Sequence, residues 1–78
     1  MTIEKVFNVF VSVFDVDVNV DRGTLIYNEF KGWDSVAHMT LIAALEDEFD
    51  EMLETDDILD MSSFDKAVEI MGKYSAQS

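Results

Sequence analysis

This sequence has no cysteine, one histidine and only five basic residues among its 78. Without cysteine there are no disulfides and no thiolate chemistry of the chain's own, which suits a reducing compartment. A lone histidine cannot furnish the ligands of an ordinary zinc site. Seventeen acidic residues against five basic ones give a formal charge of −12, and no lysine or arginine occurs between Trp33 and Asp65. Such a surface repels phosphate, which argues against nucleic acid or an anionic membrane as partner. It aids solubility and favours basic partner proteins, attracted fastest at low salt. The opening Met1-Thr2-Ile3-Glu4-Lys5 lacks the basic region of a signal peptide. No apolar run is long enough to span a membrane. A cytoplasmic monomer with no membrane span is expected.

A chain of this length makes one small domain over residues 1–78 and buries only about 60% of its unfolded surface, so its stability is marginal. Hydrophobic residues make up 49% of it, enough for a core. Residues 2–14 place Ile3, Val6, Phe7, Phe10 and Phe14 at helical spacing. The alternation of Val9, Val11 and Val13 competes for a strand; a helix is expected, with the strand as alternative.

Asp15, Asp17, Asn19 and Asp21 then offer oxygens at alternate positions, as a calcium loop does. The sixth position is Val20 where the sharp turn needs glycine, and the twelfth is Ile26 where a bidentate glutamate belongs. A solvated acidic loop is the reading. From Gly23 to Gly32 there is no periodicity, and a connection this long between helices is packed or functional. Leu25, Ile26, Tyr27 and Phe30 are expected to tuck onto the core, with Trp33 closing the loop against it.

At Asp34-Ser35 the pattern changes. Asp34 has the chemistry of an N-cap, and Ser35 presents a hydroxyl at the mouth of the following helix, where free amides and the dipole favour a phosphate. Over the next four turns or so, at 100° per residue, Leu41, Ile42, Leu45 and Phe49 share one face with His38 beside them. Val36, Met39, Ala43 and Asp47 share the opposite face, edged by Thr40 and Glu46. That second face is apolar in the middle and acidic around it, as a docking surface is.

After Asp50-Glu51-Met52-Leu53-Glu54, a short helix is expected over Thr55–Met61 with Thr55 as cap. A last helix starts near Ser62, its expected cap, with Asp65 near its positive end. Phe64, Ala67, Val68 and Met71 form the core stripe of that helix. Gly72 is placed to end or fray it, and residues 75–78 are expected as a disordered tail. Met52, Met61 and Met71 are expected to face inward.

Asp34-Ser35-Val36, the pair Leu41-Ile42, the run Ala44-Leu45-Glu46-Asp47-Glu48-Phe49, and the later Ile58 and Met61 together resemble the acyl carrier proteins. The similarity covers about Gly32 to Met71. It implies an all-α four-helix bundle of three longer helices and a short third one, with a long loop between the first two. It also implies that Ser35 carries a covalent 4′-phosphopantetheine arm, derived from coenzyme A, whose thiol holds acyl groups as thioesters. Asp34 belongs to the attachment motif. The partners so implied are a magnesium-dependent phosphopantetheinyl transferase and acyl-loading and acyl-transferring enzymes with basic docking patches. Val36, Met39, Ala43, Glu46 and Asp47 correspond to the family's recognition face, which Asp57 and Ile58 extend. The chain departs from the pattern at Asp50, where many members have glycine, and at Ala37 and Thr40, where fatty-acid carriers are acidic. The stretch Trp33-Asp34-Ser35-Val36-Ala37-His38-Met39 looks more like specialised carriers of polysaccharide or other secondary biosynthesis.

Two other classes compete. An unmodified acidic helical adaptor would use the same face to bind a basic partner, with Ser35 merely starting a helix. A calcium-responsive protein would use the loop at 15–21. A hydrolase is disfavoured: the chain has no Gly-x-Ser-x-Gly turn, and its one histidine has no evident orienting acid.

Overall fold

The computed structural model of the chain describes residues 2–76. It is all-α, with four helices and no strand among the described residues: α1, Thr2–Phe14; α2, Ser35–Phe49; α3, Thr55–Asp60; and α4, Phe64–Ala76. The helix wins over the strand in α1 because Val6, Phe7, Val9 and Phe10 form one buried stripe, which α1 seats against both α2 and α4. Ile3, in the first turn, is the exception, 45% exposed.

Aromatic rings fill the centre. Phe10 meets the rings of Trp33 and Phe64 edge-on, each at 5.2 Å, and Phe14 closes on Trp33 at 5.5 Å. Edge-to-face pairs at these separations add to the burial of large apolar surfaces. Leu25, Leu41, Leu45, Met61, Ala67 and Met71 are fully buried around them.

Both longer helices that precede a loop end on an aspartate in the left-handed region. Asp15 has φ 55° and its N–H bonds to the Val11 carbonyl at 2.8 Å. Asp50, at φ 53° and ψ 46°, bonds to the carbonyl of Glu46. Glycine is usual at such a position because it has no Cβ to clash. The missing glycine after Phe49 is therefore replaced, not compensated elsewhere.

The first loop is packed, as its length required. Asp17 Oδ1 accepts the Asn19 N–H at 2.7 Å, and Asp21 Oδ1 accepts that of Gly23 at 3.0 Å, capping a single 3₁₀ turn at Arg22–Thr24. The Arg22 guanidinium lies 3.8 Å from the centre of the Phe7 ring and pairs with Glu4 at 3.2 Å, so it straps the loop across α1. Leu25 and Trp33 are buried, while Tyr27 and Phe30 pack partly buried against the core. Ile26 contributes through its backbone, in an isolated antiparallel bridge with Ser63: the Tyr27 N–H reaches the Ser62 carbonyl at 2.9 Å and the Phe64 N–H reaches the Leu25 carbonyl at 2.8 Å.

That bridge shifts the start of α4. The Ser62 carbonyl is committed to the loop, so the cap falls one residue later than expected: Ser63 Oγ accepts the Lys66 N–H at 3.0 Å. Thr55 is likewise not a cap, because Glu54 holds the extended N-cap conformation and Thr55 is already helical. In α4, Phe64, Ala67 and Met71 are buried as expected, with Val68 partly so; Ile70 joins them. The helix runs on through Gly72 to Ala76. Residues 75 and 76 are thus helical where a tail was expected, and 77–78 lie outside the described residues.

Candidate functional site

Trp33, buried to 1% exposure, anchors the chain just before Asp34. Asp34 adopts the extended N-cap conformation, and its Oδ1 accepts the Ala37 N–H at 2.9 Å. This cap supplies one of the first-turn amides with the partner the helix cannot provide. Between the buried indole and the capped turn, Ser35 stands exposed as the first residue of α2.

The opposite face of α2 is open. Val36 is 76% and Met39 57% exposed, and Ala43 and Asp47 are exposed below them. Three other expected docking residues turn toward the protein's own structure. Glu46 is half-buried, and its Oε2 accepts the Leu53 N–H at 3.0 Å, which fixes the turn out of α2. Asp57 faces α4, accepting from the Tyr74 hydroxyl at 2.6 Å and from Lys73 Nζ at 2.9 Å. The Tyr74 hydrogen bond and then the Lys73 one hold its carboxyl below the usual carboxylate range. Desolvation and the bond to Asp57 push Tyr74 up. Ile58 packs partly buried against the core.

His38, one turn after Ser35, lies at the centre of this region. Its Nδ1 accepts from the Trp33 indole at 3.0 Å, since an indole N–H can only donate. The proton of the neutral ring is thereby placed on Nε2, which donates to the Ile58 carbonyl at 2.8 Å. Both ring nitrogens are used within the fold, and neither is left to activate Ser35.

Two exposed hydrophobic residues complete the surface. Leu59 is 75% exposed and Met52 82%. Met52 was expected inward, but Leu53 takes that place at 7% exposure. The stretch after α2 is not helical, so neighbouring side chains alternate sides. A pocket of about 170 Å³ opens between the first loop, α2 and the end of α3, lined by Tyr27, His38, Leu59, Met61 and Ser62. A more open and acidic hollow is lined by Glu46, Asp47, Asp50, Glu51 and Met52. Among the described residues no group of three or more His, Asp or Glu side chains is placed to hold a metal ion, and no helix is long and apolar enough to cross a membrane.

Comparisons with protein-family models, curated proteins and solved structures gave no match to this chain.

Proposed function

We propose that this chain is an acyl carrier, in which the Ser35 hydroxyl accepts a 4′-phosphopantetheine arm from coenzyme A. The observation that carries the reading is Ser35 itself, exposed at the first position of α2 beside the open Val36–Met39–Ala43–Asp47 face. In the transfer, Ser35 Oγ bonds to the β-phosphorus of coenzyme A as the pyrophosphate P–O bond breaks. The 3′,5′-ADP leaves with the bond's electron pair, and the serine proton passes to a base of a magnesium-dependent phosphopantetheinyl transferase. The product is a phosphodiester, whose one negative charge lies where helix amides and dipole favour it. Asp34 already occupies one of those amides, the Ala37 N–H.

The arm supplies a thiol, which a chain without cysteine lacks, and with it the capacity to hold acyl groups as thioesters. Fatty acyl, hydroxyacyl, aminoacyl and polyketide cargoes all suit that chemistry. The chain's own part is to anchor the arm and offer a docking face, raising the cargo's effective concentration at a partner's active site. Partners with basic patches fit the charge of −12, and a cytoplasmic setting suits both coenzyme A and a free thiol.

The test is intact mass after incubation with coenzyme A, magnesium and a broad-specificity transferase. One phosphopantetheine added to the parent and none to Ser35→Ala is expected. No addition to folded protein, with either that transferase or the host's own, would leave the unmodified acidic adaptor as the better reading.

A further inference from the structure

We infer that the Met39 thioether is a reversible oxidation site: peroxide converts it to the sulfoxide ahead of the core methionines, and the oxidised side chain slows arm transfer to Ser35. The inference rests on the carrier reading and adds a control on its open face.

The first ground is access. The chain has no cysteine and its one tryptophan is buried to 1% exposure, so methionine sulfur is the group a peroxide meets. Met61 and Met71 are closed off at 1% and 0% exposure, whereas Met39 is 57% exposed and Met52 82%. Hydrogen peroxide is uncharged, so the chain's charge of −12 does not hold it off. In the step, a lone pair of the Met39 sulfur attacks one peroxide oxygen, and an S–O bond forms as the O–O bond breaks. Sulfur is oxidised by two electrons, the peroxide is reduced, and a proton shift releases one water. A methionine sulfoxide reductase reverses the change with two electrons from thiols.

The second ground is position. Met39 stands one turn after Ser35, their Cβ atoms about 5–6 Å apart, and its neighbours on the open face are Val36 and Ala43. It is the largest side chain in the apolar middle of that face. Oxidation turns a flexible apolar group into a polar one. Val36 and Ala43 have no donor to offer the new oxygen, and the carboxylate of Asp47 only accepts. A partner surface complementary to the apolar middle leaves that oxygen buried and unpaired, which costs affinity. The fold itself is untouched, because the sulfur points away from the core.

Met52 provides the comparison. It is the more exposed sulfur, but it lines the acidic hollow past the end of α2, away from Ser35. Its oxidation separates sulfoxide formation as such from sulfoxide on the docking face.

The experiment exposes the parent, Met39→Leu, Met52→Leu and Met39→Gln to graded hydrogen peroxide, which catalase then removes. Peptide masses locate the added oxygen, and arm transfer from coenzyme A is timed with untreated transferase. Each protein is compared with itself before treatment. Met39 and Met52 should gain oxygen well before Met61 and Met71, with the thermal midpoint moved by no more than about 1 °C. Treatment should lower kcat/KM about 10-fold in the parent and in Met52→Leu, as one polar group buried without a partner does. Met39→Leu should lose little on treatment. Met39→Gln, polar from the start, should be slow before treatment and no slower after it. Reductases for both sulfoxide epimers should restore the parent.

Oxidation of Met61 and Met71 as fast as Met39 overturns the inference while leaving the carrier intact. So does parental transfer by protein oxidised at Met39, or an equal loss in treated Met39→Leu. Failure of the arm to attach before any peroxide is added overturns the carrier reading instead, and this inference with it.

Discussion

Trp33 donates its indole N–H to Nδ1 of His38 at 3.0 Å, with the planes of the two rings only 19° from parallel. The contact ties the residue before the Asp34 cap to the first turn of α2, and through Nε2 of the same ring to the Ile58 carbonyl in α3. Three separate segments are thus registered by one imidazole. Removing it in His38→Ala leaves the N–H of a fully buried tryptophan unpaired and frees α3, at a cost of about 2–3 kcal/mol. The thermal midpoint should fall by roughly 10 °C, read by fluorescence of the single tryptophan. His38→Gln, able both to accept and to donate, should recover part of the loss. A midpoint unchanged in His38→Ala would mean the contact does not hold these segments.

The Asp57 latch gives a pH signature. The bonds from Tyr74 and Lys73 lower the folded-state pKa of Asp57, so its contribution is complete well above the ordinary carboxylate value of about 4. It is lost as pH falls through the lower folded-state value. Asp57→Asn should therefore melt below the parent at pH 7. The difference should shrink as pH drops below about 4 and close once the folded-state carboxyl is also protonated. A gap that is constant across the acid range would assign the effect to packing and not to the charge.

Gly72 lies inside α4, and a Cβ built on it meets no atom within 4 Å. Nothing in the fold uses the missing side chain, while glycine in a helix interior costs about 0.5–1 kcal/mol relative to alanine. Gly72→Ala should stabilise by about that amount in denaturant titrations, with the m-value unchanged. A loss of stability would show that α4 bends there in solution.

The elements that could be read in the sequence are those whose information is local. The stripe Val6, Phe7, Phe10 and the face Leu41, Ile42, Leu45 follow from a 3.6-residue period, and Asp34 announces itself as a cap one residue before a patterned run. Several of the misjudged positions depend on contacts beyond their own helical turn. Ser62 is the cap expected from the sequence, and its pairing with Tyr27 passes that role to Ser63. Asp57 looked like a free surface acid because its partners, Lys73 and Tyr74, lie sixteen and seventeen residues on. Glu46 looked free because the N–H it accepts belongs to a turn with no periodicity. His38 could be placed at the edge of the core, but not its two bonds, since neither Trp33 nor Ile58 marks itself as a partner. The candidate site divides the same way: Ser35 and the open face are local features of α2, whereas the pocket beside them is made by three segments meeting.

That division predicts which acidic residues matter for docking. Asp47 is exposed on the Val36–Met39–Ala43 face, free to meet a basic partner, whereas Glu46 and Asp57 already have partners within the chain. Asp47→Lys should therefore leave the thermal midpoint within about 1 °C, as surface changes away from specific contacts do. It should lower kcat/KM for arm transfer by about 10-fold at low salt, with the deficit narrowing as ionic strength screens the pair. Met39→Ala should weaken the same step through lost apolar contact, with little salt dependence. Asp57→Lys should do the opposite of Asp47→Lys, losing thermal stability in preference to transfer rate. If instead Asp47→Lys is transferred at the parent's rate and Asp57→Lys is not, the recognition surface lies on α3, and the open face of α2 serves some other contact.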